Sequence, residues 1–142
     1  MGKTMFHRML NLILVLALVL SVTGCTTMTR ADKRHYAKLK AHGITIDRPV
    51  GQYEKPNSAV AAGVLNILPG IGNFYLACGN GSDSSQAVYG VLNLLTWPIS
   101  IIWAVPQGAI DATTLNKQDM IYHYQFDADG KEEMRKINFT FD

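Results

Sequence analysis

Residues 56–110 read "PNSAVAAGVLNILPGIGNFYLACGNGSDSSQAVYGVLNLLTWPISIIWAVPQGAI" and carry a single charged side chain, Asp83. Asp83 falls in "GNGSDSS" (79–85), a Gly/Asn/Ser cluster that predicts a turn. On each side lies an uncharged stretch of about 27 residues, longer than the ~20 needed to cross a bilayer. Apolar stretch, polar turn, apolar stretch predicts a helical hairpin. Two features interrupt it. In "LPGIG" (68–72), Pro69 removes a backbone donor, and Gly70 and Gly72 add backbone freedom, so helices are expected over 58–68 and 71–78. Pro98 and Pro106 are further breaks in the second arm, and Trp97 is pushed out of helical geometry by the proline after it. Helices are expected over 85–96 and 98–112, with a kink between them. Asn66, Asn73, Asn80 and Asn93 lie in or beside these arms. Amides facing lipid are costly, so these side chains should face each other or water.

The chain begins "MGKTMFHRMLNLILVLALVLSVTGC". A basic front (Lys3, Arg8), an apolar run of about a dozen residues and then small residues form the layout of an export signal. The run would cover ~18 Å as helix against a ~30 Å hydrocarbon core, which favours a removed signal over a spanning anchor. Val22-Thr23-Gly24-Cys25 resembles the bacterial lipobox. That resemblance implies a diacylglyceryl group on the Cys25 sulfur, cleavage between Gly24 and Cys25, and N-acylation of the new amine. Thr26 and Thr27 follow. With no Asp after the Cys, the enteric sorting preference implies the outer membrane rather than the inner.

The hairpin has a resemblance of its own. "GVLNILPGIGNFYLACG", the polar turn and "GVLNLLTWPISIIWAVPQGAID" together resemble the two-transmembrane-segment domain family, with its Gly-rich break and Phe-Tyr-Leu-Gly signature. Gly70, Gly72, Phe74, Tyr75 and Leu76 match, Ala77 replaces the final Gly, and Trp103 and Asp111 stand for the late Trp and Asp. The resemblance implies architecture rather than chemistry. Full spanning conflicts with the lipid anchor. Cys25 outside the cytoplasm would leave only "GNGSDSS" inside, without Lys or Arg, while Lys55 and Lys117 flank the hairpin. Helices lying in one leaflet, or packed on one another, are favoured over spanning.

Without the signal, about 118 residues remain, enough for one small domain. Residues 26–57 hold seven basic and three acidic side chains, residues 111–142 four and seven. The two could lie against each other, or the arm could sit on anionic headgroups. Neither approaches the charge density of a nucleic-acid binder. With Cys25 lipidated, Cys78 has no intrachain partner and is expected to be buried as a small hydrophobe. "TRADKRHYAKLKAHGIT" (29–45) predicts a short amphipathic helix over 31–42, ended by Gly43 with Ile44 folding back. "DRPVGQYEKPN" (47–57) is a linker. In the tail, Tyr122, Tyr124 and Phe126 alternate with Ile121, His123 and Gln125; "DADG" (127–130) reads as a turn, and Ile137, Phe139 and Phe141 alternate again. That period of two predicts a C-terminal β-hairpin.

The expected fold is therefore mainly α: a broken apolar helical hairpin, preceded by a short amphipathic helix and followed by a small β-hairpin. The expected divisions are signal 1–24, lipidated arm 25–57, membrane-associated hairpin 58–112 and tail 113–142. No nucleophile elbow, phosphate loop, dinucleotide fingerprint or metal-ligand spacing occurs. His123 with Asp119 or Asp127 is the one pair that could serve as a base and its orienter, and surface residues are the expected reading. No catalytic residue, metal or dissociable cofactor is expected, only the covalent lipid on Cys25. The expected function is that of a lipid-anchored envelope component, structural or accessory. Its partners are membrane lipid and either a membrane protein or further copies of itself, and nucleic acid is not among them. A self-assembling, membrane-perturbing hairpin is the alternative, and a small periplasmic ligand binder the third.

Overall fold

A computed structural model describes residues 7, 8, 11, 12, 15, 19, 26–79 and 83–141. Gly24, Cys25 and Asn80 lie outside the described residues, so the lipobox and its cleavage point do too. The described positions before residue 20 are helical and exposed.

Six helices follow: α1 Arg30–Ala41, α2 Ala59–Leu65, α3 Ile71–Cys78, α4 Ser85–Leu95, α5 Ile101–Phe126 and α6 Ala128–Lys136. Thr29 opens α1 with a capping box: its hydroxyl accepts from the Asp32 amide, and the Asp32 carboxylate accepts from the Thr29 amide. Gly43, at φ +78°, ends it, and the Ile44 amide returns to the Leu39 carbonyl at 3.0 Å. In the middle of the chain α2 packs against α5 and α3, and α3 packs against α4. The turns at 66–70 and 96–100 fall where the prolines interrupt the pattern. Pro106 does not end its helix. The chain continues through it as α5, giving up only the bond its amide would make to Ile102. At 26 residues α5 is about 39 Å long. It is the spine on which both halves of the molecule pack, and it crosses the expected boundary at 112/113.

The half built from α1, the linker, the end of α5 and α6 has an ordinary apolar core. Leu39, Ile44, Tyr53, Met120, Ile121, Tyr124, Met134 and Phe139 are buried together. Tyr124 closes it: its hydroxyl accepts from the Val50 amide and donates to the Val50 carbonyl, both at 2.9 Å. The basic arm and acidic tail do meet, but across this core. The ion pairs recorded among the described residues stay within each segment, as in Lys55–Asp47 at 2.9 Å and Lys136–Glu132 at 2.9 Å.

The chain is mainly helical, but the expected C-terminal β-hairpin is absent. There is no strand among the described residues, only an isolated bridge between Thr45 and Arg48. The tail is the end of α5, a break at Asp127, and α6. Burial along it has the helical period: Met120, Ile121 and Tyr124 face inward, while Tyr122 and Phe126 are exposed. The alternation of aromatics thus spreads them around a helix rather than along one strand face. "DADG" starts α6, with Asp127 as its extended N-cap residue. Gly130 is needed there because a Cβ would run into the His123 carbonyl. Cys78 is another departure, exposed at the end of α3 rather than buried.

Candidate membrane-docking unit

Among the described residues of 57–112, the asparagines, the glutamines and Asp111 are buried, while many of the large apolar side chains are exposed. On α4, Gln86, Gly90 and Asn93 point inward, spaced four and three residues apart, while Val88, Val91, Leu94 and Leu95 are exposed. On the first half of α5, Ala104, Gln107, Gly108, Asp111 and Ala112 point inward, whereas Ile102 is 78% exposed. On α2, Ala62 and Gly63 are inside and Val60 is 75% exposed. A helix in water arranges its faces the other way round.

The interior is a chain of amides. Asn66 donates to the Ala104 carbonyl at 2.9 Å and accepts from the Asn73 backbone amide at 3.2 Å. The Asn73 side chain donates to Gln86 Oε1 at 2.7 Å and accepts from Asn93 Nδ2 at 2.9 Å. Trp103 Nε1 donates to Asn93 Oδ1 at 3.2 Å, and Ser100 Oγ to the Asn93 carbonyl at 2.9 Å. Helix backbones approach closely around this network because small residues line it. A Cβ on Gly72 would strike the Ala62 carbonyl, and one on Gly108 would strike Asn66. Gly70, at φ +73°, lies directly against the Gly90 backbone.

Both turns fall at one end. Asn66 meets Ala104 near the start of α5, while at the other end Asn57 and Asn116 exchange two bonds, at 3.0 and 2.7 Å. Around the turns, Ile67, Leu68, Leu94, Leu95, Trp97, Ile99 and Ile102 are each more than half exposed. The opposite end is a polar base. There the Tyr75 hydroxyl accepts from the Ser58 amide at 2.9 Å, and Asp111 accepts from the Thr26 amide at 2.8 Å and from Gln86 Nε2 at 3.1 Å. Gln86 Nε2 also reaches Thr26 Oγ1 at 2.8 Å. Burial raises the Asp111 carboxyl above the usual range, and the bonds from Gln86 and Thr26 partly oppose this.

The residues singled out from the sequence converge here. Pro69 forms the first turn with Gly70, and Pro98 the second, after a cis peptide bond. Phe74 packs on Gly90, Leu76 is fully buried with Ala62, Ala112 and Leu115, and Tyr75, Trp103 and Asp111 make the bonds above. The described asparagines Asn66, Asn73 and Asn93 do face one another. Gln86, Thr26 and Asn116 were missed. Gln86 was findable, because it lies seven residues before Asn93, two turns along the same helix face. Thr26 had no signal, since its partner is 85 residues away.

A second polar cluster lies at the other end of the molecule. A shallow cleft of about 370 Å³ is lined by Tyr53, Lys55, Asp119, His123 and Asp127, among others. Burial raises the Asp119 carboxyl, with the Tyr53 hydroxyl and His123 acting the other way. His123 Nδ1 lies 3.2 Å from Asp127 and Nε2 lies 3.4 Å from Glu133. Each ring nitrogen thus has a carboxylate beside it. Among the described residues no group of three His, Cys, Asp or Glu side chains is placed to hold a metal ion, and no helix is long and apolar enough to cross a membrane.

No family model, curated protein or solved structure matches the chain.

Proposed function

We propose that this chain is a lipid-anchored, non-catalytic component of the bacterial cell envelope, tethered through Cys25 and docked on a membrane through residues 58–112. One observation carries the reading: the inverted burial of that unit, with hydrogen-bonded amides inside and Val, Ile and Leu outside. In water such an exterior is a liability; against hydrocarbon it is the stable arrangement. The seven apolar side chains around the two turns, each about half withdrawn from water at ~1.5–3 kcal/mol for full burial, would contribute on the order of 5–10 kcal/mol. That is comparable to an acyl chain, so lipid and protein act as two anchors of similar size. The half packed around Tyr124 then stands in the aqueous space as the part available to partners.

The self-assembling alternative has less support. Gly63, Gly70 and Gly90, which would let copies pack closely, are already used within the chain: Gly63 against Val105 and Ala109, and Gly70 and Gly90 against each other. The test is metabolic labelling with palmitate. The wild-type chain should take up label and fractionate with membranes, and Cys25→Ala should take up none. An unlabelled wild-type chain would end the proposal.

A further inference from the structure

We infer that residues 58–112 form a wedge that enters a single leaflet of a phospholipid bilayer, its two turns deepest and its polar base at the headgroups on the side of the anchor. This rests on the membrane-docking reading above and names the partner of that surface and the depth it reaches.

Length decides against crossing. Helix α4 has 11 residues and would reach about 16 Å, and the part of α5 from Ile101 to Asp111 covers a similar distance. Helices α2 and α3, with seven and eight residues, are shorter still. A hydrocarbon core is ~30 Å thick, so the unit spans about half of it. The chain turns back twice at that depth, at 66–70 and 96–100, rather than continuing.

The distribution of polarity identifies the occupant as acyl chains rather than a protein groove. Exposed apolar side chains are not confined to one face. They project from α2 (Val60, Val64), from α4 (Val88, Val91) and from α5 (Ile102, Ile110). A protein partner covers one face, whereas a leaflet surrounds the unit. Much of the backbone at the turns is hydrogen-bonded within the chain. The amides of Asn66, Ile67, Leu68 and Ile71 bond back to carbonyls three residues earlier, as do those of Ile101, Ile102 and Trp103. Local bonds of this 3₁₀ kind re-satisfy backbone groups freed at a proline or glycine break.

Charge and connectivity set the orientation. The sequence is free of charged side chains from Pro56 to Ile110 except for Asp83, which adjoins the base end of α4. Lys55, paired with Asp47, and Lys117, set over the Tyr36 ring, border the unit at that same end, so its charged groups lie where headgroups would be. Thr26 is held at the base by Asp111 and Gln86.

Two measurements on the lipidated protein in phospholipid vesicles, anchored side out, test this. An Asp83→Cys, Cys78→Ala chain is exposed to a membrane-impermeant maleimide. A one-leaflet wedge labels without detergent, at a rate close to that of Lys55→Cys, Cys78→Ala. A hairpin that crosses the bilayer labels only after detergent, which would overturn the inference and leave lipid anchoring intact. In the second measurement, Trp97 is the sole tryptophan in Trp103→Phe, and the lipids carry bromine either near the chain ends or near the headgroup. The wedge predicts greater loss of Trp97 emission with bromine near the chain ends. Absence of lipid quenching while the protein stays vesicle-bound would mean that the apolar turns are covered by protein, and would overturn the inference alone. Failure of the lipidated chain to bind vesicles at all would overturn both.

Discussion

The backbone amide of Thr26 donates to the buried carboxylate of Asp111 at 2.8 Å, joining the start of the basic arm to the middle of α5. Gln86 completes the junction from α4, bonding both Asp111 and the Thr26 hydroxyl. Three segments distant in sequence thus meet at one carboxylate, where the apolar unit gives way to the rest of the molecule. Asp111→Ala would leave the Thr26 amide without its acceptor and the Gln86 Nε2 with the Thr26 hydroxyl alone. The expected loss is ~1–3 kcal/mol of stability, read by denaturation in micelles, together with faster hydrogen exchange at the Thr26 amide. Unchanged exchange at Thr26 would show that the arm is not held there.

The glycines of the unit separate into two kinds, and alanine scanning should distinguish them. At Gly72 the new Cβ meets the Ala62 carbonyl, which is backbone and cannot rotate away. At Gly63 the nearest atom is the Val105 carbonyl at 3.2 Å, a clearance that a small shift restores. Alanine gains ~1 kcal/mol in helix propensity at either place. Gly72→Ala should therefore lose ~1–3 kcal/mol net through forced separation of α2 and α3, and Gly63→Ala should be near neutral. Equal midpoints for the two variants in thermal melts would refute the close-packing argument.

How much of this was legible follows from how local each feature is. The breaks at Pro69 and Pro98 were readable because proline and glycine act on the residues beside them. The cap at Gly43 was readable for the same reason. The reversals of the chain at the two prolines were not, since the pattern offered one turn, at 79–85, and only a kink at Pro98. The inward-facing asparagines followed from the cost of exposing an amide to hydrocarbon. The tail was misread because alternation was scored without register. Extending the inward face of Ala112 and Leu115 forward would have carried a helix through Met120 and Tyr124. The Asp111 junction depends on contacts between distant residues, for which a single sequence carries no pattern.

Stability should depend on pH with a sign set by Asp119. Burial raises its carboxyl above the ordinary ~3.9. The native state then binds its proton more tightly than the unfolded chain does. Stability is fully present below ~3.9, declines as pH rises through the native value, and levels off above it. Asp111 shifts in the same direction. Asp119→Asn removes one such group at nearly constant size, and the Tyr53 hydroxyl keeps its acceptor, the Asn116 carbonyl at 2.9 Å. Relative to wild type, the variant should gain stability between pH 4 and pH 7, with the other carboxylates cancelling in the difference. A wild-type advantage that grows with pH would reverse the assignment.

The inverted unit makes the usual effect of hydrophobic substitution change sign with position. Asn73→Leu adds apolar surface, yet it removes the acceptor of Asn93 and the donor to Gln86, and a leucine cannot bond either. Each orphaned amide costs ~1–3 kcal/mol when buried, so this variant should unfold more readily in both micelles and vesicles. Ile102→Asn makes the chain more polar at a side chain that is 78% exposed and borders the second turn. Little of that side chain is buried, so the fold in micelles should hold. What it removes is an isoleucine that would enter lipid at ~1.5–3 kcal/mol, so vesicle partitioning should fall by roughly ten- to hundredfold. The pair is read together, as melting midpoint for one and partition coefficient for the other. An ordinary water-facing surface would predict no change in partitioning for Ile102→Asn, and an ordinary apolar core would predict tolerance of Asn73→Leu. Either result would mean that the polarity of residues 58–112 is not inverted in the working protein.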